Sequence, residues 1–144
     1  MTGKADFSQE EWDLVREGPP TAGMIALTAS RGGSFRETWA LAKTYAEARQ
    51  QHGASQLLDD LVADKPDVKR YGSGEELEQT GLSRLGDAMA LLGQKATPEE
   101  LEAYKRFTIG VAERVAAAHK EEGESVSGAE REAIERITAT LNPS

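Results

Sequence analysis

The second half of this chain repeats the helix-start grammar of the first, and that constrains the fold more than any other feature. Ser8 and Glu11 stand three residues apart before Trp12, and at an offset of 89 residues Thr97 and Glu100 do the same before Leu101. The same offset carries Ala26 onto Val115, Ala29 onto Ala118 and Arg31 onto Lys120. Four extra residues then intervene, after which Ser34, Glu37 and Ala40 match Ser127, Glu130 and Ala133. Each copy reads as a capped helix, a small-residue apolar stretch, a short polar loop and a second capped helix. Two helix-loop-helix halves packed about a pseudo-twofold axis are the expectation.

The repeated pattern has a physical cause. In Ser/Thr-x-x-Glu the hydroxyl accepts from the third helical amide while the Glu carboxylate reaches back to the amide of the capping residue. It occurs at Ser8/Glu11, Ser34/Glu37, Ser73/Glu76, Thr97/Glu100 and Ser127/Glu130, each time before an apolar-periodic segment. Pro98 follows Thr97, at the first helical position, where a missing N–H costs nothing. A further match, Thr44/Glu47, falls inside a helical pattern and is discounted.

From these starts the spacing predicts helices over 9–17, 20–30, 35–51, a short one around Leu57–Val62, then 75–95, 98–121 and 128–141. Gly18-Pro19-Pro20 is expected to end the first, and Gly81 is a point at which the fifth could kink or split. No segment shows sustained strand alternation. The expected fold class is all-α, a compact bundle of about seven helices in a single domain over 1–144, with residues 1–6 and 142–144 frayed. Trp12, Phe35, Trp39, Tyr45, Tyr104 and Phe107 fall at helical spacing and read as core.

Composition narrows the function classes. The absence of cysteine excludes disulfides, cysteine-ligated zinc, iron–sulfur clusters and thiol nucleophiles. A formal charge of −8, spread along the chain, opposes binding to nucleic acid or to anionic membranes. No apolar signal core opens the sequence and no apolar run approaches a membrane span, so a soluble cytoplasmic protein is expected.

Few constellations suggest chemistry. His52 precedes Gly53, as a cation at a helix C-terminus does, and His119 precedes Lys120; neither has the spacing of paired zinc ligands. Gly32-Gly33-Ser34, with Arg31 and Arg36, could cradle an anion but lacks P-loop spacing, and Gly-Gly before a helix cap reads as ordinary turn chemistry. No nucleophile elbow occurs. The acidic segment Lys120-Glu121-Glu122-Gly123-Glu124-Ser125 is the place for a cation. Glu122, Glu124 and Glu130, with the Ser125 hydroxyl, supply oxygen donors of the kind calcium takes, although EF-hand spacing is absent. Glu130 is also fully explained as the partner of Ser127 in a capping box.

Helix, short loop and Ser-x-x-Glu opening another helix, given twice in an acidic all-α chain, resembles the TerB-like tellurite-resistance family. The stretch from Tyr104-Lys105-Arg106-Phe107 through Val115-Ala116 and Lys120-Glu121 to Val126-Ser127-Gly128-Ala129-Glu130 carries the resemblance, as does Gly18-Pro19-Pro20-Thr21-Ala22-Gly23 through to Glu37. It implies a pseudo-symmetric helical bundle from a bacterial stress-response or membrane-associated signalling context, with metal-associated acidic loops before the capping box. Here the first such loop, Ala29-Ser30-Arg31-Gly32, has no Asp. With no cysteine the chain cannot use thiols to reduce or capture the oxyanion, and an indirect part in resistance is expected.

Two functions are therefore expected to compete. One is a non-enzymatic stress-response module acting through protein partners or self-association, with a divalent cation such as calcium in the second loop. The other is an enzyme or small-ligand protein with a pocket between the halves, towards which Tyr45, Tyr104 and Lys105 would reach.

Overall fold

The computed structural model describes residues 3–29, 35–50, 56–63, 74–121 and 128–142. Among them are a single 3-10 turn, Lys4–Asp6, and six α-helices: α1 (Gln9–Ala29), α2 (Phe35–Gln50), α3 (Gln56–Ala63), α4 (Gly74–Lys95), α5 (Pro98–Glu121) and α6 (Gly128–Leu141). No strand occurs among the described residues, and the all-α expectation holds.

Two of the expected capping boxes lie wholly within these residues, and they form with matching geometry. The Ser8 amide donates to Glu11 Oε1 over 2.9 Å, and the Glu11 amide to Ser8 Oγ over 3.2 Å. The Thr97 amide donates to Glu100 Oε1 over 2.9 Å, and the Glu100 amide to Thr97 Oγ1 over 3.2 Å. The other three boxes each include a residue outside the described ones. Thr44 and Glu47 sit within α2, as expected of a spurious match, and both meet Arg114 of α5.

Among the described residues the helices number six rather than about seven, because Gly18-Pro19-Pro20 does not end the first helix. Both prolines lie inside α1, which runs unbroken to Ala29. An interior proline costs a helix about 3 kcal/mol or more, through a lost amide and a clash with the carbonyl four residues back. Tertiary packing offsets this cost. Residues 17–23 are buried, and α1 is the central helix, lying against α5 and α4 along its length and touching α6 and α2. Gly81 does not split α4 either. The two helices α4 and α1 lie close there, since a Cβ on Gly81 would stand 2.7 Å from Thr21 Cγ2.

The core spans all six helices. Trp12, Val15 and Ile25 of α1 meet Leu41 and Tyr45 of α2, Leu57 and Leu61 of α3, Leu85 and Leu92 of α4, Tyr104 and Val111 of α5, and Ile137 and Leu141 of α6. The Tyr45 and Phe107 rings meet edge-on at 5.3 Å. Of the aromatics expected in the core, Trp12, Tyr45 and Tyr104 are buried and Phe107 is half-buried; the side chains of Phe35 and Trp39 lie outside those described.

The start of the chain is tied to the bundle. The Lys4 amide donates to Asp60 Oδ2 of α3 over 2.9 Å, which joins the 3-10 turn to the body. Lys95, at the end of α4, donates to the Asp6 carbonyl over 3.0 Å and to Glu11 Oε1 over 2.9 Å while lying 5.3 Å from the centre of the Phe7 ring. Lys4 and Asp6 thus have partners on α3 and α4.

Candidate functional site

Where α1 passes through its two prolines, the interior turns polar. Pro19 has no N–H, so the Val15 carbonyl loses the donor that an α-helix ordinarily supplies from four residues ahead. The Tyr104 hydroxyl, on α5, donates to that carbonyl over 2.8 Å. Gly18 makes the approach feasible, because a Cβ there would overlap the Tyr104 hydroxyl oxygen. One turn along α5, the buried Thr108 hydroxyl donates back to the Tyr104 carbonyl over 2.8 Å.

Beside this contact lies a buried carboxylate. Glu17 is only 3% exposed and pairs with the guanidinium Nε of Arg84 on α4. Burying a charge is costly unless it is paired and hydrogen-bonded, so the pair fixes how α4 lies against α1. The Arg84 side chain reaches it from the surface, being 39% exposed.

Two phenols complete the cluster. Burial pushes the Tyr104 hydroxyl pKa far above the ordinary 10, and the neighbouring Tyr45 and Glu17 add to the shift. Burial likewise raises Tyr45, partly opposed by Arg49 and Arg16. Both are neutral across the physiological range and act as hydrogen-bonding groups, not as bases. Among the described residues the Tyr45 hydroxyl and the Trp12 indole N–H have no hydrogen-bond partner although both are buried. Arg49 itself donates from Nε to the Val62 carbonyl, tying α2 to α3.

The sequence-derived candidates divide accordingly. Tyr45 and Tyr104 are both buried in the one core cluster. Lys105 does not join them: its side chain, 15% exposed, places Nζ 3.4 Å from Glu102 Oε1 one turn back on α5. Of the cation donors, Glu122, Glu124 and Ser125 lie outside the described residues, as does the Glu130 side chain, though its backbone belongs to α6. His52 and Arg31-Gly32-Gly33-Ser34 also lie outside them, as do the side chains of His119 and Arg36. No group of three or more His, Asp or Glu that could hold a metal ion occurs among the described residues.

Sequence reasoning missed Glu17 and Arg84. Glu17 was the last residue of the expected first helix, where a carboxylate would be solvated, and its partner is 67 residues away. The available signal was its position in a stretch otherwise committed to the core, with Val15 before it and Ala22 after.

These features define an all-helical bundle whose polar interior groups link α1 to α4 and α5. No protein-family model, curated protein or solved structure matches the chain. No helix among the described residues is long and apolar enough to cross a membrane.

Proposed function

We propose that this chain is a non-enzymatic, TerB-like helical module that acts in a cytoplasmic stress response through protein partners or self-association. The observation that supports this reading is the use to which the interior polar groups are put. Tyr104 caps a helix carbonyl, Glu17 pairs with Arg84, and Glu100 closes a capping box. Each joins or terminates helices. Lys105, a candidate of the ligand-pocket reading, has Glu102 as a partner on its own helix.

Two pseudo-symmetric halves are part of the proposal. The 89-residue offset carries the start of α1, Gln9, onto the start of α5, Pro98; with the four-residue insertion it carries Phe35 of α2 onto Gly128 of α6. The contacts are reciprocal, α2 lying on α5 and α6 on α1. Val15 and Tyr104 are themselves separated by 89 residues, and they touch. Equivalent residues meet in this way where a twofold axis passes between them.

A divalent cation held by Glu122, Glu124 and Glu130 of the acidic loop is part of the proposal. A thermal melt with chelator, and then with millimolar calcium, magnesium or zinc, tests that part. An ion at about 100 times its dissociation constant adds about 2.7 kcal/mol to the folded state. A calcium shift abolished by Glu124→Gln with Glu130→Gln supports the site, and the absence of any shift removes the cation from the proposal. The role itself is tested by deleting the gene and challenging cells with tellurite. Increased sensitivity, reversed by the intact gene, is expected; growth equal to that of the parent strain contradicts the stress-response role.

A further inference from the structure

We infer that the Tyr104 phenol stands in for the amide hydrogen that Pro19 lacks, so that Gly18-Pro19-Pro20 and Tyr104 form a latch holding the central helix on α5. Three observations converge on it. Pro19 deprives the Val15 carbonyl of its intrahelical donor, and a fully buried phenol from another helix donates to this carbonyl. Gly18 leaves the phenol oxygen just the room it occupies. Thr108 bonds back to the carbonyl of Tyr104, which adds a second hydrogen bond where the phenol is carried. The prolines are therefore the complement of a residue 85 positions further on (Pro19 to Tyr104), not a helix stop. A single α1 amide at position 19 would make the phenol redundant as a donor, whereas an amide at position 20 would serve the Arg16 carbonyl and leave Val15 dependent on Tyr104.

That difference gives the test. Thermal melts compare Tyr104→Phe in the native chain, in Pro19→Ala and in Pro20→Ala. In the native chain the loss of Tm is expected to be roughly 4–8 °C, as for a buried carbonyl left without its donor in a domain of this length. The same loss is expected in Pro20→Ala, and less than half of it in Pro19→Ala, where the restored amide takes over. An equal loss in all three backgrounds, or none in the native chain, overturns the inference. A second readout needs no variant: the Tyr104 hydroxyl proton of the native chain is expected as a slowly exchanging NMR signal, and its rapid exchange with solvent likewise overturns it.

Discussion

Val15 and Tyr104 meet through a 2.8 Å hydrogen bond from the phenol to the main-chain carbonyl, at the turn of α1 where Pro19 removes the ordinary donor. The bond joins α1 to α5 and lies beside the ion pair that joins α1 to α4. The centre of the bundle is thus held by specific polar contacts set in an apolar core.

Gly18→Ala should destabilise the fold although alanine is the better helix former. The helix preference gains about 1 kcal/mol, while forcing a methyl into a filled site costs about 1–3 kcal/mol. The clash is with the Tyr104 hydroxyl, so the same substitution made in Tyr104→Phe should cost distinctly less than in the native chain. Urea denaturation of the four chains measures the coupling; strict additivity would show that the hydroxyl is not what Gly18 accommodates.

Removing the cation beside the buried carboxylate should also be costly. Arg84→Leu leaves Glu17 in the interior without its guanidinium partner, and the expected loss is about 2 kcal/mol, below the 3–5 kcal/mol of fully buried pairs because Arg84 is partly exposed. Replacing Glu17 by Leu as well should recover most of that loss. If Arg84→Leu unfolds at the same urea concentration as the native chain, the pair contributes nothing.

How much of this was legible in the sequence depends on the range of the interaction. The starts of α1 and α5 were fixed by Ser8/Glu11 and Thr97/Glu100, because a capping box is complete within four residues and needs no tertiary partner. Gly18-Pro19-Pro20 misled because proline's cost is local while its compensation, the Tyr104 hydroxyl, comes from α5. The same reason hid Glu17: nothing near it in sequence announces Arg84. Tyr45 and Tyr104 were recognised as inward-facing from helical periodicity alone, but periodicity gave no sign that one of them caps a carbonyl.

The phenols predict the alkaline limit of stability. Tyr45 and Tyr104 both ionise in the folded state well above the ordinary value of 10, so the unfolded chain loses these protons first as pH rises. The stability they contribute is complete below pH 10 and is lost progressively above it. In Tyr71→Phe, which retains only these two of the three tyrosines, phenolate absorbance should appear together with loss of helical circular dichroism. Phenolate formed while the helices persist would contradict their burial.

At acid pH the opposite sign applies to Glu11. Its carboxylate is held below the ordinary 4.5, chiefly by the Ser8 amide and then by Lys95. A depressed folded pKa contributes stability above the unfolded value that is lost as pH falls through the folded one. Glu11→Gln should therefore flatten the decline in Tm below about pH 4.5, and an unchanged acid profile would show that the box and the Lys95 contact do not hold the charge.

The most direct test of the central claim, an uninterrupted α1 docked on Tyr104, is a NOESY spectrum of the native chain with backbone assignments. The expected result is helical Cα shifts continuing from Gln9 to Ala29 through the prolines, with cross-peaks from the Tyr104 ring to the Gly18 Hα. Shifts that leave the helical range at Gly18-Pro19-Pro20, with no contact between Gly18 and the Tyr104 ring, would contradict it and restore two shorter helices.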